Sequence, residues 1–188
     1  RAAGALPSVN HPNFQWALTS KDLLQVKNLN LFEVYNGHPQ VNNRGGGEDL
    51  FRKTVGIIGL GDIGKLVAKR LQGFEVEIIA NDIVAYPDFM ERYRILGCSK
   101  EELLRRADFV TLHVPLDDST RGMINEERLR LMKPSAFLIN TCRGPVVEEQ
   151  ALYKALVKGW IAGAGLDVFE DEPPEFRPLL ELENVVST

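Results

Sequence analysis

The chain has 188 residues but only two cysteines, Cys98 and Cys142, which stand far apart and without the spacing of metal ligands. Two such cysteines fit reduced thiols in a cytoplasmic protein better than the disulfide framework of a secreted one. Long apolar runs are also missing, since none approaches the roughly 20 residues that span a bilayer, and no signal peptide is visible. The sequence therefore predicts a cytoplasmic protein without a membrane partner.

An excess of positive charge is likewise absent, because 22 Lys and Arg stand against 26 Asp and Glu, a formal net charge of −4. Nucleic-acid binding favours a basic surface, so no nucleic-acid partner is expected. The length and a hydrophobic fraction of 44% suffice for one substantial core. The chain begins at Arg1 without a methionine, and we interpret it as a fragment or a processed chain.

The most informative stretch is residues 55–64, which reads VGIIGLGDIG. An apolar run stops at Gly59-x-Gly61-x-x-Gly64 and continues into a helix-like segment, which predicts a buried strand, a glycine turn and a helix. Such a turn directs free backbone N–H groups and the positive end of the helix dipole at one point, where a pyrophosphate can bind. Gly59 permits the tight turn, Gly61 lets the phosphates approach, and Gly64 lets helix and strand pack closely. Asp62 and Ile63 complete the turn; the backbone makes the contact, so the Asp62 side chain can face water.

A second part of the same pattern is Asp82, which ends the strand-like residues 76–81 near the ~20-residue offset expected for a ribose-binding acid. A carboxylate can accept both ribose hydroxyls, but it would repel the 2′-phosphate of NADP. The sequence therefore predicts NAD as the cofactor. The alternative is a glycine-rich turn in a doubly wound sheet, with Asp82 merely capping the next segment.

Beyond residue 46, strand-like and helix-like segments alternate, which predicts a mostly parallel, doubly wound α/β sheet of the Rossmann type. The predicted strands are 54–59, 76–81, 109–114, 136–140 and 162–168, with a last one opening at residue 184, and the predicted helices are 62–72, 99–106, 125–132 and 147–158. Ser99 suits a helix start and Gly159 a helix end. Residues 1–46 hold seven of the eleven asparagines and two of the three histidines. We therefore place a domain boundary at the glycines 45–47, with an N-terminal appendage at 1–46 and one domain at 47–188.

Further motifs follow in order: ADFVTLHVPL at 107–116, INTCRG at 139–144 and AGLDVFEDEPP at 164–174. With the glycine turn, they make residues 47–188, about three-quarters of the chain, resemble the NAD-binding domain of the D-isomer-specific 2-hydroxyacid dehydrogenases. This is the family of phosphoglycerate, glycerate and D-lactate dehydrogenases. The resemblance implies hydride transfer between NAD(H) and a small D-2-hydroxy or 2-keto acid, and it also implies a homodimer.

The resemblance implies two catalytic residues. Arg143 would bind the carboxylate and carbonyl of the substrate, which suits a guanidinium because its fork offers parallel donors to planar oxygens. Glu172 would hydrogen-bond the catalytic histidine and raise the pKa of that histidine by stabilising the imidazolium. The alternatives are a surface ion pair for Arg143 and a solvated acidic run at residues 170–172.

The resemblance also implies cofactor contacts outside the glycine turn. Asp167 would contact the nicotinamide carboxamide, Val114 and Pro115 would flank the nicotinamide and the adenosine ribose, and Thr141 would lie beside the cofactor. The alternative for Asp167 is an ordinary turn residue at a strand end. His113 lies inside the strand motif and does not match the catalytic histidine of the family, so we interpret it as structural.

In the family, the strand that opens at residue 184 is followed by Pro-His, and that histidine is the general acid and base. The sequence stops at Thr188, one step before it. Losing a general acid typically costs ~10²–10⁴-fold in rate, so we expect this chain alone to bind NAD with negligible turnover. A non-catalytic dinucleotide-binding module is the alternative.

Residues 10–13 and 31–39 resemble a piece of the polymerase-and-histidinol-phosphatase metallophosphoesterases. That resemblance implies metal-ligand parts for His11, Glu33 and His38, since histidine and carboxylate suit divalent metals. A catalytic cluster needs several more ligands than this segment contains, so we predict no working metal site. A fragment of a metal-dependent phosphoesterase is a further alternative function, after the oxidoreductase and the non-catalytic binding module.

Overall fold

The structure, a computed structural model, describes residues 52–172 and 178–187. Its centre is a seven-stranded sheet with the order β3-β2-β1-β4-β5-β6-β7, in which every pair of neighbours is parallel. The strands are β1 (Thr54–Ile58), β2 (Glu77–Asn81), β3 (Ile95–Gly97), β4 (Phe109–Leu112), β5 (Phe137–Asn140), β6 (Gly163–Leu166) and β7 (Val185–Ser187). The predicted parallel Rossmann-like sheet is confirmed.

Helices fill the connections between the strands. They are α1 (Asp62–Leu71), α2 (Pro87–Arg92), α3 (Lys100–Arg106), α4 (Glu126–Leu129) and α5 (Glu149–Val157), with short 3₁₀ turns at Gln72–Phe74, Gly144–Val146 and Pro178–Glu181. None of the helices within residues 52–172 and 178–187 is both long enough and apolar enough to cross a membrane.

The buried side chains form two clusters, one on each face of the sheet. Successive residues of a strand point to opposite faces, and accordingly Ile57 belongs to the cluster that contains Ala68 of α1, whereas Ile58 belongs to the cluster that contains Leu103 of α3 and Leu152 of α5. Because both faces are covered, β1 is an almost continuous apolar run, as parallel strands in such folds are.

Two elements were missed by the sequence prediction, namely helix α2 and strand β3. They are only six and three residues long, α2 has no buried residue, and β3 has just one, Ile95. Hydrophobic periodicity cannot be recognised over so few residues. The helix predicted at 125–132 is also shorter than expected: α4 ends at Leu129, and Leu131 and Met132 then make tighter i→i−3 bonds to Arg128 and Leu129.

Three strands end earlier than predicted, at Ile58, Leu112 and Leu166, and α5 begins two residues later, at Glu149. The residues that leave the ladder form the loops at the carboxyl edge of the sheet. The predicted helix start and stop are confirmed: the Ser99 side chain accepts from the Glu102 N–H, and Gly159 has a φ of +66° just after α5. The boundary at 46/47 lies outside the described residues and stays a prediction.

Candidate functional site

The carboxyl ends of the central strands meet along one edge of the sheet. The chain runs outward from β1 through β2 to β3, then returns to place β4 on the other side of β1. The carboxyl ends of β1 and β4 therefore flank a topological switch point, which is where ligands bind in open α/β sheets. The glycine turn follows β1, residues 113–115 follow β4, residues 141–143 follow β5, and Asp167 follows β6. The predicted site residues thus lie along one edge.

Two of the three glycines of the turn, Gly59 and Gly64, have the folding roles that the sequence predicted. Gly59 has a φ of +95°, and a Cβ there would lie 2.5 Å from the carbonyl oxygen of His113. A Cβ on Gly64 would collide with the carbonyl oxygen of Gly59, so helix α1 and strand β1 could not pack as they do. At Gly61, by contrast, no atom of the described residues, apart from its chain neighbours, lies within 4 Å of the Cβ position. Gly59 and Gly64 are therefore required by the protein itself, whereas Gly61 faces open space.

Helix α1 begins at this opening without a cap. Gly61 is its N-cap residue, and no side chain in the part of the chain that the structure describes accepts from the first-turn N–H groups. Those groups have no partner within a helix, and they carry the positive end of its dipole. Asp62 is exposed, as expected, and the Ile63 side chain is 64% exposed at the same turn. The residues present therefore fit a diphosphate approaching Gly61.

Asp82 lies beside this turn and contacts it directly. Its Oδ2 accepts a hydrogen bond from the backbone N–H of Leu60 at 2.5 Å, and its Oδ1 accepts from Val84 at 2.8 Å. The contact with Val84 caps the segment that follows β2, as the alternative expected, although the N-cap residue of α2 itself is Tyr86. An ionised carboxylate has about four acceptor sites, so Asp82 can still accept hydroxyl groups.

The end of β4 borders the glycine turn from the other side. The N–H of His113 donates to the carbonyl oxygen of Ile58 at 2.8 Å, and the His113 Nε2 lies 3.0 Å from the hydroxyl of Thr111. Burial lowers the pKa of His113 to about 4, so the ring is neutral at physiological pH. These contacts support a structural role for His113. Val114 and Pro115 follow it in the loop that leaves the strand.

Asn140, which the sequence analysis did not single out, shapes the loop that carries Arg143. Its side chain is buried, its Nδ2 donates to the carbonyl oxygen of Arg143 at 3.0 Å, and its Oδ1 accepts from the backbone N–H and the thiol of Cys142 at 3.2 and 3.1 Å. Burial raises the pKa of the Cys142 thiol. The observation that could have revealed Asn140 is a polar residue closing an otherwise apolar strand, since such a residue needs partners.

Arg143 itself is exposed at this edge, and Thr141 is half-buried beside it. The Arg143 Nη1 donates to the carbonyl oxygen of Cys142 at 2.6 Å. Among residues 52–172 and 178–187, no carboxylate oxygen lies within 4.0 Å of its guanidinium nitrogens. Within the described residues Arg143 therefore makes no ion pair, and its remaining donors are available to a bound carboxylate.

The loop after β6 packs against the Arg143 loop. The N–H of Asp167 donates to the backbone carbonyl of Asn140 at 3.0 Å. A Cβ on Gly144 would collide with the carbonyl oxygen of Phe169, so only glycine fits there. The loops that carry Arg143 and Asp167 are thus held together by the backbone.

The acidic run 170–172 is not simply solvated. Glu170 and Glu149 exchange hydrogen bonds, because each carboxylate accepts the backbone N–H of the other, at 2.9 and 2.6 Å. Glu170 thereby lies at the start of α5, where a negative charge is favourable. The Glu172 side chain is exposed and accepts from the Phe169 N–H at 3.3 Å. Its predicted catalytic role stays a prediction.

The predicted metal-ligand resemblance of His11, Glu33 and His38 lies outside the described residues and stays a prediction. The same holds for Pro173 and Pro174 of the last motif. Across the part of the chain that the structure describes, no group of three or more histidine, cysteine, aspartate or glutamate side chains could hold a metal ion.

With this geometry in place, the chain can be compared with known proteins. The family model described as D-isomer specific 2-hydroxyacid dehydrogenase, NAD binding domain, matches residues 26–188. The glyoxylate reductase of Korarchaeum cryptofilum is 53% identical over 141 residues, which cover 74% of this chain and 42% of that protein. The glyoxylate reductase of Pyrococcus furiosus is 50% identical over 146 residues, covering 76% and 42%. The chain thus spans less than half the length of these relatives.

Solved structures show the same similarity. An NAD-complexed D-isomer specific 2-hydroxyacid dehydrogenase from Lactobacillus delbrueckii ssp. bulgaricus superposes with a TM-score of 0.66 at 39% identity, covering 72% of this chain and 45% of that one. The holo form of D-mandelate dehydrogenase from Rhodotorula graminis gives a TM-score of 0.73 at 33% identity, covering 83% and 46%.

Proposed function

Because the chain belongs to the D-isomer specific 2-hydroxyacid dehydrogenase family and contains the NAD-binding domain of that family, we propose that it is the cofactor-binding part of an NAD-dependent oxidoreductase. The reaction is hydride transfer between NAD(H) and a small D-2-hydroxy or 2-keto acid. The relatives named glyoxylate reductase favour glyoxylate as the first substrate to test. The observation that carries the proposal is the uncapped start of α1 at Gly61, which faces open space beside Asp82.

The residues have distinct parts in this proposal. The first-turn N–H groups at Gly61, Asp62 and Ile63 bind the diphosphate, because they are unpaired donors at a positive helix end. Asp82 accepts the adenosine ribose hydroxyls and disfavours a 2′-phosphate by charge repulsion. When bound, NAD supplies the nicotinamide ring that accepts or donates the hydride.

The remaining contacts orient the reacting groups. Val114 and Pro115 flank the nicotinamide and the adenosine ribose, and Thr141 lies beside the cofactor. Asp167 contacts the carboxamide of the nicotinamide. Arg143 binds the substrate carboxylate and polarises the carbonyl, because its donors are free of any carboxylate in the described residues. Glu172 stabilises the protonated form of the acid and base histidine that the family uses.

Two further expectations, on the oligomeric state and the cellular location, accompany the proposal. A homodimer is expected from the family resemblance, and a cytoplasmic location is expected from the two unpaired cysteines. Both stay predictions.

The proposed reaction is tested in a chimeric enzyme, the graft, in which part of a full-length relative is replaced with this chain. In the Korarchaeum cryptofilum relative, the 141 aligned residues are replaced with the corresponding stretch of this chain, and NADH oxidation is followed with glyoxylate and a panel of other 2-keto acids. We expect NADH oxidation, and we expect Arg143→Lys to lower kcat/KM by at least about tenfold, because a point charge cannot replace the guanidinium fork.

The matched control is Arg105→Lys, since Arg105 is an exposed arginine on α3, and its kcat/KM should equal that of the unmodified graft. A graft that binds NADH but reduces no 2-keto acid would favour the non-catalytic binding module. An unchanged kcat/KM in Arg143→Lys would remove Arg143 from the site.

A further inference from the structure

We propose that Asp82 is also a positioning residue for the glycine turn, holding the backbone that binds the diphosphate before any nucleotide arrives. This inference rests on the proposed function, since it concerns the same cofactor. It adds a second role to a residue whose expected role is only to bind the ribose. The observation behind it is the hydrogen bond from the Leu60 N–H to the Asp82 Oδ2, at 2.5 Å.

The turn needs such a restraint because it contains two flexible residues. Leu60 stands between Gly59 and Gly61, and glycine loses more conformational freedom on ordering than any other residue. Two consecutive bonds fasten the turn to the end of β2: the Gly59 N–H donates to the carbonyl oxygen of Asn81 at 2.9 Å, and the Leu60 N–H donates to Asp82. The Leu60 side chain is 1% exposed. Its peptide is therefore fixed from both sides.

Fixing Leu60 also fixes the peptide that follows it, which carries the N–H of Gly61 at the start of α1. Asp82 is itself held, because its Oδ1 accepts from the Val84 N–H at 2.8 Å. A binding loop that is ordered in advance does not lose that freedom on binding, so its affinity for the ligand is higher. In this proposal Asp82 affects diphosphate binding through the Leu60 backbone and makes no contact with the diphosphate itself.

The positioning role and the ribose role predict different results with a nucleotide that lacks the ribose hydroxyls. The probes are ADP and 2′,3′-dideoxyadenosine 5′-diphosphate, titrated calorimetrically into the full chain and into Asp82→Ala and Asp82→Asn. Both variants lose the negative charge equally, but only the asparagine oxygen can still accept the Leu60 N–H. The comparison between them therefore isolates this hydrogen bond.

If Asp82 positions the turn, the dideoxy nucleotide binds Asp82→Ala about tenfold more weakly than Asp82→Asn, a difference of about 1.4 kcal/mol. If Asp82 only binds the ribose, both variants bind the dideoxy nucleotide with the same Kd, and that result overturns the inference. NAD is titrated into the unmodified chain as well, which tests the proposed function separately. A chain that binds neither ADP nor NAD overturns both the proposed function and this inference, whereas equal Kd values of the two variants for the dideoxy nucleotide overturn the inference alone.

A second measurement needs no ligand and guards against misfolding of the alanine variant. Hydrogen exchange of the Leu60 amide is measured in the unmodified chain and in Asp82→Asn, with Asp88→Ala as the control for removal of a nearby exposed carboxylate. We expect faster Leu60 exchange in Asp82→Asn, since a neutral acceptor holds the N–H less strongly, and no change in Asp88→Ala. Equal Leu60 exchange in all three proteins would contradict the positioning role.

Discussion

Three polar residues lie at strand ends and hold the loops of the site by hydrogen bonds: Asp82, Asn140 and Asp167. Asp82 accepts from the turn after β1, the Asn140 side chain holds the Arg143 loop, and the Asp167 N–H donates to the Asn140 carbonyl. Asp82 was predictable because an acid after an apolar strand is typical of nucleotide-binding folds, and Asp167 was predictable from the family resemblance. Asn140 was not, because its importance depends on three partners that only the folded loop brings together.

His113 gives a pH dependence of stability at the residue scale. Its pKa is about 4 in the folded protein, against about 6.5 in an unfolded chain. The unfolded state therefore binds the proton first as the pH falls. The contribution of the neutral His113 ring to the free energy of unfolding is fully present above about pH 6.5. It is lost between about pH 6.5 and 4, at up to about 1.4 kcal/mol per pH unit.

The measurement is the free energy of unfolding by urea at several pH values in the unmodified chain and in His113→Gln. Taking the difference between the two proteins cancels the contributions of other titrating groups, including carboxylates such as Asp108 whose pKa is lowered. We expect the stability of the unmodified chain, relative to the variant, to decline as the pH falls through this window. A difference that is independent of pH would contradict the assignment.

At the scale of elements, the carboxyl ends of β1, β4 and β6 are shorter than the sequence predicts because their last residues are used in loops. The loop after β6 is the clearest case, because the Asp167 N–H donates to the backbone carbonyl of Asn140 and Phe169 closely approaches Gly144. The neighbouring Arg143 loop is held by the Asn140 side chain. The apolar pattern extends past the last paired residue, so periodicity alone places the strand end one or two residues late.

This arrangement predicts that Asn140→Ala lowers the free energy of unfolding by about 3 kcal/mol, because the buried N–H and thiol of Cys142 and the half-buried carbonyl oxygen of Arg143 lose their partner. The control is Asn184→Ala. Among the described residues, the half-buried Asn184 side chain makes one hydrogen bond, to the carbonyl oxygen of Ala162 at 3.1 Å, and its loss should cost only about 1 kcal/mol. Urea unfolding measures both. Equal losses would show that Asn140 does not hold the loop as described.

At the scale of the whole molecule, the alternation of strands and helices was enough to predict a parallel sheet with helices between the strands. The order of the strands was not derivable from periodicity, since it depends on which strands pair. The glycine turn and Asp82 could be predicted because their spacing follows the chemistry of phosphate and ribose binding, whereas Asp167 was predicted from the family resemblance. The short α2 and β3 were missed because a six-residue helix and a three-residue strand bury too little to leave a pattern.

Binding of the NAD diphosphate by the open start of α1 is the proposal on which the other assignments depend. Two glycines allow it to be tested, because a Cβ on Gly61 and a Cβ on Gly73 would each meet no atom of residues 52–172 and 178–187 within 4 Å, their chain neighbours aside. Both alanine variants should therefore fold. Only the methyl group on Gly61 would occupy the space in front of the N–H groups of α1.

The decisive measurement is a calorimetric titration of the chain, of Gly61→Ala and of Gly73→Ala with NAD and with NADP. The account predicts that the unmodified chain and Gly73→Ala bind NAD equally and more tightly than NADP, and that Gly61→Ala loses at least about tenfold in NAD affinity. Absence of NAD binding by the folded chain, or an unchanged Kd in Gly61→Ala, would contradict it.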